Sequence, residues 1–432
     1  MLVSIPRCYD SHVHFLATGQ VLEGLHLGSL RNPVDVANIE IKPNFFRGEW
    51  LVGFGWDQHH FKNQKWPSKD ELDQAFPDFP VAFSRADGHA VWVNSQALSL
   101  AGYLSNESVN RLDPDGGMVL RDSMGQPTGI LIDSAKLAID ALIPAYSKNQ
   151  NREFCLSAQK YFLSRGFTHL RDMTGTLEQW ALLKELDESG QLSLYVEMNF
   201  VIENPGDLDR ALQEAQTASN QTKGHLRVDG LKIFLDGALG SEGAFLSKPY
   251  ANSANRGLLI WDMKDFSAAV QVAWAHNFPI SVHCIGDQAA HEAALVFKKL
   301  AKQNITGKIC FEHAELMRQE TVDLLVGLDV TMHMQPCHYL SDRAWLKGKV
   351  SDLFADAFPW QRFQQAGFKL QWGSDSPIEA ASVENNLQAL RLSAKDGIPP
   401  LTGDPLSFHS HPDPSWGINS ISNFSISSLD PK

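Results

Sequence analysis

Two histidines one residue apart, in Asp10-Ser-His-Val-His14, open the chemistry of the chain. Side chains alternate along a strand, so His12 and His14 face the same way and can chelate one metal ion. The spacing equally fits two strand histidines with ordinary hydrogen bonds. Lys232 stands in the apolar run Gly230-Leu-Lys-Ile-Phe-Leu-Asp236. An unpaired buried ammonium is costly. Such a lysine snorkels to solvent, pairs with a carboxylate, or is neutral enough to react with carbon dioxide. The last option yields a carbamate, an anionic oxygen ligand able to bridge two metals. His283 ends Ile280-Ser-Val-His, His313 ends Cys310-Phe-Glu-His, and Asp375 lies in Trp372-Gly-Ser-Asp-Ser-Pro377. Each is a metal-ligand type at the end of an apolar run.

Further groups fit a site or a bland alternative. Gln335-Pro-Cys-His338 and Asp342 read as a proline turn with a capping aspartate, or place His338 against a substrate. Asp236-Gly-Ala-Leu-Gly-Ser241 reads as a rim loop or a turn. Arg85-Ala-Asp-Gly-His89 and Asn94 either line a pocket from above or hold their own segment together by salt bridges. Two histidine pairs read as decoys. His409-Ser-His411 sits among Pro405, Pro412 and Pro414, where no strand is expected. His59-His60 are adjacent and would diverge on a strand. The glycines of Gly237–Gly243 lack the Gly-Lys-Ser/Thr of a phosphate-binding loop.

The elements that must position these residues follow from short apolar runs bounded by Gly, Pro or Asp. They predict eight strands at Cys8–Phe15, Phe167–Asp172, Leu194–Phe200, Gly230–Leu235, Pro279–Cys284, Lys308–His313, Val330–Gln335 and Phe368–Trp372. Between them, patterns such as Leu177–Glu188, Asp207–Ala218, Lys264–His276, Asp287–Lys302 and Gln319–Leu328 predict helices. Alternation of the two implies a parallel sheet, and eight repeats a (β/α)8 TIM barrel, an α/β fold. Strand C-termini of such a barrel converge on one mouth, which gathers all six ligand candidates.

The chain has 432 residues, against roughly 250 for one barrel. The excess falls after strand one as an α+β insertion with strands at Trp50–Trp56, Val81–Ser84 and Ala90–Asn94, and a hairpin of Gly117–Arg121 with Thr128–Asp133. Trp50, Trp56, Trp66 and Trp92 would mostly pack its core. The expected division is residues 1–18 and 149–395 for the barrel, 19–148 for the insertion and 396–432 for an extended tail.

A net charge of −13 excludes the basic footprint of a nucleic-acid protein. The five cysteines are scattered without CxxC spacing, which argues against a disulfide framework or a cysteine zinc site. No run suggests a membrane span or a signal peptide, so the cytoplasm is the expected location.

The assembled motifs resemble the amidohydrolase superfamily, and within it the YtcJ-like branch, amidohydrolase family 3. The matching pieces are Asp10-Ser-His-Val-His14, Arg85-Ala-Asp-Gly-His89 with Asn94-Ser95, Lys232 with Asp236-Gly237, and Val282-His-Cys-Ile-Gly-Asp287. Glu312-His-Ala314, Gln335-Pro-Cys-His338 and Gly373-Ser-Asp-Ser-Pro377 complete the set, in the family's order across roughly residues 8 to 380. The resemblance implies a metal-dependent hydrolase acting on amide or related C–N bonds. It implies that His12, His14 and Asp375 hold one metal, that His283 and His313 hold a second, and that an N-carboxylated Lys232 bridges them. Zinc is the expected ion. The family's flanking β-sandwich is not visible here, since 11 residues precede His12 and the tail does not read as strands.

The mechanism expected of such a site has metal-bound hydroxide attacking the carbonyl. Asp375 acts as general base and then acid, and the second metal or His338 polarises the carbonyl. Arg85, Asp87, His89, Asp236 and Gln335 are the candidate substrate contacts. The expected partner is a small molecule, with no nucleic acid and no membrane, and a homodimer is compatible with the reading. Ester, lactone or phosphoester hydrolysis, or a catalytically silent binding or regulatory role, remain alternatives on the same scaffold.

Overall fold

The structure, a computed structural model, describes residues 8–104, 113–413 and 416. After strand β1 (Cys8–Val13) come six strands of a separate sheet: β2 (Phe46–Arg47), β3 (Trp50–Trp56), β4 (Val81–Arg85), β5 (Ala90–Val93), β6 (Gly117–Arg121) and β7 (Pro127–Asp133). The chain returns to the first sheet through β8 (Phe167–Gly175), β9 (Tyr195–Ile202), β10 (Leu226–Phe234), β11 (Ile280–Cys284), β12 (Ile309–His313), β13 (Val330–Met334) and β14 (Lys369–Trp372).

The first sheet has the order β1-β8-β9-β10-β11-β12-β13-β14, with every pair parallel. Its edges meet where His14 N–H donates to Ser376 O and Asp375 N–H donates to His12 O, each at 2.8 Å. This is the expected (β/α)8 architecture. Apolar residues such as Ile309 and Phe311 are buried in the main hydrophobic core, while Cys310 and Glu312 alternate with them. Polar side chains therefore fill much of the lumen, where bulky aliphatics usually pack.

The helix Phe15–Glu23 lies against the crossover helix Lys148–Ser164. The approach is so close that a Cβ on Gly19 would fall 2.0 Å from the Phe154 carbonyl oxygen. The expected boundary at residues 18/19 falls inside this helix.

The second sheet, ordered β2-β3-β4-β5-β7-β6, is parallel between β3 and β4 and antiparallel elsewhere. The fully buried Trp56 and Trp92 pack edge-on at 5.9 Å in its core. No helix among the described residues is long and apolar enough to cross a membrane.

The start of the tail, expected as an extended or partly ordered arm over 396–432, is docked on the barrel. A short 3-10 helix, Pro405–His409, leads into an antiparallel bridge between Ser410 and Cys8, under the N-terminal end of the barrel. His409 Nδ1 lies 3.2 Å from Tyr9 O, and Asn386 Nδ2 lies 3.2 Å from His409 Nε2. His411 Nε2 approaches Glu197 Oε1 at 3.2 Å. Sequence pattern missed this docking because prolines exclude a strand but not a buried 3-10 turn. The remaining tail, from 417 to 432, lies outside the described residues.

Burial pulls His409 down to about 4 from its ordinary 6.5, against the opposing bond to Tyr9 O. As pH falls, the unfolded chain therefore takes up this proton first. The stability contributed by neutral His409 is complete above pH 6.5 and is lost as pH falls through 4. It amounts to about 3 kcal/mol at most. The urea stability of wild type should exceed that of His409→Gln at neutral pH, and the gap should narrow on acidification through this window. A gap independent of pH would show that this ring does not titrate with folding.

Candidate metal centre

The C-terminal ends of β1, β11, β12 and β14 deliver imidazoles and one carboxylate to a common point. Asp375 is the hub. Its Oδ1 lies 3.3 Å from His12 Nε2 and 2.9 Å from His14 Nε2. Its Oδ2 lies 3.9 Å from His313 Nδ1 and 3.5 Å from His338 Nε2. His313 packs 4.7 Å from His12 and 4.5 Å from His283, ring centre to ring centre. His12, His14 and Asp375 thus form one group of ligand atoms within 4.8 Å of one another, and His313, Glu315 and His338 form another.

Several of these atoms are buried yet make no hydrogen bond: His12 Nε2, His283 Nδ1, His313 Nδ1, His338 Nε2, Asp375 Oδ1 and Lys232 Nζ. Buried polar atoms are ordinarily paired. Unpaired imidazole nitrogens converging on a carboxylate form a donor set that suits a divalent ion. Burial holds His283 and His313 well below the usual imidazole range, which leaves their ring nitrogens free of extra protons. Burial works against the Asp375 carboxylate, but His12, His14 and His338 outweigh it and hold it well below its ordinary value.

Lys232 is fully buried, with its ammonium 4.8 Å from the centre of the Phe234 ring. Burial draws it down to about 8 against the pull of Glu312 and Asp375. Of the three sequence alternatives, snorkelling is therefore ruled out.

Backbone geometry at the site is unusual. His313 and Asp375 have φ of 68° and 60°, the left-handed region that non-glycine residues seldom adopt. Such conformations cost on the order of 1–3 kcal/mol each and cluster at functional sites.

Among the described residues, His89 carries the insertion toward these imidazoles. The His89 ring lies 5.0 Å from that of His283, and its Nδ1 is 2.7 Å from Asp133 Oδ1. Asp87 Oδ1 accepts the His89 backbone N–H. Arg85 is instead tied into the insertion and its contact with the barrel. It bonds to Asp57, Gln58 and Asp87, and a Cβ on Gly240 would come within 2.7 Å of its Nη1. Gln58 and Lys349 both donate to Gly240 O, so this rim loop is clamped from two sides.

Asp236 turns inward, where its carboxylate accepts the N–H groups of Phe245, Ile285 and Gly286. It organises the loops after β10 and β11. Gln335 is buried and donates to His333 O, with its own Oε1 unpaired. His338 is held between Glu315, 2.8 Å from Nδ1, and Asp375. Burial opposes its proton, but these two carboxylates prevail and raise it well above the usual imidazole range. The decoys His409 and His411 lie at the opposite end of the barrel.

Sequence reasoning missed Asp10, Asp133, Arg171, Glu312 and Glu315. Asp10 Oδ1 accepts Ser374 N–H at 2.8 Å and His12 N–H at 3.4 Å, so it ties β1 to the segment after β14. Glu312 Oε2 lies 2.6 Å from His12 Nδ1. Arg171 carried the same signal as Lys232, a charge within an apolar strand. Asp133 carried none, because its partner His89 is 44 residues away.

Comparison with known proteins adds a family. Residues 5–388 match the family model described as the amidohydrolase family. The Bacillus subtilis protein YtcJ is 28% identical over 396 residues, covering 90% of this chain and 73% of that protein. An N-substituted formamide deformylase of Arthrobacter pascens is 27% identical over 197 residues, 44% of this chain and 35% of that one. Among solved structures, an uncharacterized metal-dependent hydrolase from Pyrococcus furiosus superposes with a TM-score of 0.64 at 26% identity, covering 89% of this chain and 76% of the other.

Gly373 sits where β14 passes β1, and a Cβ there would lie 2.6 Å from His12 N. Gly373→Ala should force the strands apart, lower stability by about 1–3 kcal/mol and reduce bound metal. Unfolding curves and elemental analysis check both, and retained stability with full metal would contradict the close approach.

Proposed function

The chain belongs to the amidohydrolase family, and from that premise we propose that it hydrolyses a C–N bond of amide, N-acyl or cyclic amide type in a small molecule. The coarser statement, a hydrolase of a family that uses divalent metal, rests on the family match and the metal-dependent relative. The observation that carries the metal-dependent mechanism is the convergence of buried ligand-type atoms on Asp375, many of them unpaired. The deformylase relative, which by its name acts on N-substituted formamides, supports the C–N choice.

In this reading His12, His14 and Asp375 would hold one ion, and His283 and His313 a second. Lys232, as its carbamate, would add an oxygen ligand, and zinc suits the donors best. A bound divalent ion supplies Lewis acidity and makes water a competent nucleophile at neutral pH. Asp375, held ionised by its histidine neighbours, accepts a proton from the attacking water as the new C–O bond forms. It returns that proton to the nitrogen as the C–N bond breaks. His338, fixed by Glu315, donates a hydrogen bond to the carbonyl oxygen as negative charge develops there. His89, steadied by Asp133 and Asp87, contacts the substrate from the insertion side. Arg85 and Asp236 brace the rim loops through their own bonds.

The test is a panel of N-acyl, N-formyl, cyclic amide and ester compounds with zinc-loaded protein. Turnover of C–N compounds is expected, whereas turnover confined to esters would overturn the bond assignment. Asp375→Asn should lower kcat by about 10²–10⁴-fold with melting little changed, and unaltered kcat would remove the proton shuttle. Lys232→Ala should lose metal, with partial recovery on adding a short carboxylic acid. Two equivalents of metal in that variant without additive would contradict the carbamate.

A further inference from the structure

Four charged or metal-type groups form a continuous string across the lumen. His12 on β1 meets Glu312 on β12, two strands that are not neighbours in the sheet. The other oxygen of Glu312, Oε1, lies 2.7 Å from Arg171 Nη1 on β8. Arg171 Nε then reaches Asp229 on β10. The guanidinium also donates to Ser281 Oγ on β11 and to Ser11 O on β1 at 3.2 Å. His12, Glu312 and Arg171 are fully buried, and Asp229 is partly buried. At the far end Lys308 adds positive charge beside Asp229.

We propose that Asp229, Arg171 and Glu312 are positioning residues for the metal centre, fixing His12 as a ligand and setting metal affinity from within the barrel. The inference rests on the metal reading above but not on the bond cleaved. Because Glu312 is an acceptor at 2.6 Å, His12 Nδ1 is the donor to it, which leaves Nε2 as the ring atom that faces Asp375 and would face the ion. A carboxylate behind a ligating histidine fixes its tautomer and raises its basicity. Arg171 holds that carboxylate by its second oxygen, so Glu312 cannot rotate away. Asp229 in turn takes up part of the guanidinium charge that would otherwise weaken Glu312 as a partner for His12.

A structural role alone is the competing explanation. Buried charge strings seldom add net stability over apolar packing of the same volume. The strands that successive members link are not neighbours, but each is already held in the closed sheet by its own neighbours. The string's members also end on a ligand rather than on a loop or a second ion pair. A string serving only the fold has no reason to terminate on His12.

The experiment measures zinc affinity by chelator competition, and melting with and without zinc, in wild type, Glu312→Gln and Asp229→Asn. Glu312→Gln should weaken zinc binding by about 10–100-fold, and Asp229→Asn by a smaller factor in the same direction although it touches no ligand. The rise in Tm on adding zinc should shrink in both. A purely structural role would lower Tm equally with and without zinc and leave affinity unchanged, and that result overturns the proposal. If Glu312→Gln does not fold, Asp229→Asn decides alone. The C–N reading is tested separately, because no substrate enters this assay. Wild type that binds no zinc under the same conditions would sink the metal reading and this proposal together.

Discussion

Everything at the mouth depends on how β1 is joined to the segment after β14. These two parts lie more than 350 residues apart, yet they close the barrel. The bonds that close it come from the candidate ligands' own backbone: Asp375 N–H to His12 O, and His14 N–H to Ser376 O. Asp10 adds a side-chain tie to Ser374 N–H. Barrel closure and ligand placement are therefore one constraint. A shift of one residue at this seam would turn His12 and His14 out of the lumen, because side chains alternate along a strand. It would also break the ring of eight strands.

That constraint explains why so much polarity is tolerated inside. A lumen filled with aliphatic side chains would be simpler to stabilise. Here Arg171, Lys232, Glu312 and His333 occupy it, all buried. The insertion deals with the open end. Arg85, Gln58 and Lys349 converge on Gly240, and His59 stacks on Trp345 at 4.7 Å with rings nearly parallel. These contacts hold His89 over His283 on a braced support, so the approach to the centre has a defined wall.

Much of this was legible in the residues. Apolar runs located all eight barrel strands, because their outward faces bury Val, Ile, Leu and Phe against helices. Ligand types at strand ends identified the face on which chemistry would collect. The helix Asp287–Lys302 and strand Trp50–Trp56 agree with expectation at both ends. What was not legible is non-local. Glu312 and Arg171 are 141 residues apart, and His12 and Glu312 are 300 apart. Periodicity reports which face a side chain takes, not what it meets across a lumen. The seating of His409 beneath Tyr9 escaped for the same reason, and the inward turn of Asp236 depends on backbone amides from another loop.

The strained residues fit the same physics. His313 and Asp375 each adopt a left-handed backbone at the end of a strand. Histidine and aspartate enter this region more readily than most non-glycine residues, though still seldom. Each is held by surrounding bonds: Asp375 by its N–H to His12 O, and the turn at His313 by Ala314 N–H donating to Cys284 O. The conformation swings both side chains inward, out of the path of a continuing strand, so that an imidazole and a carboxylate approach within 3.9 Å. Barrel closure supplies the bonds that sustain the strain.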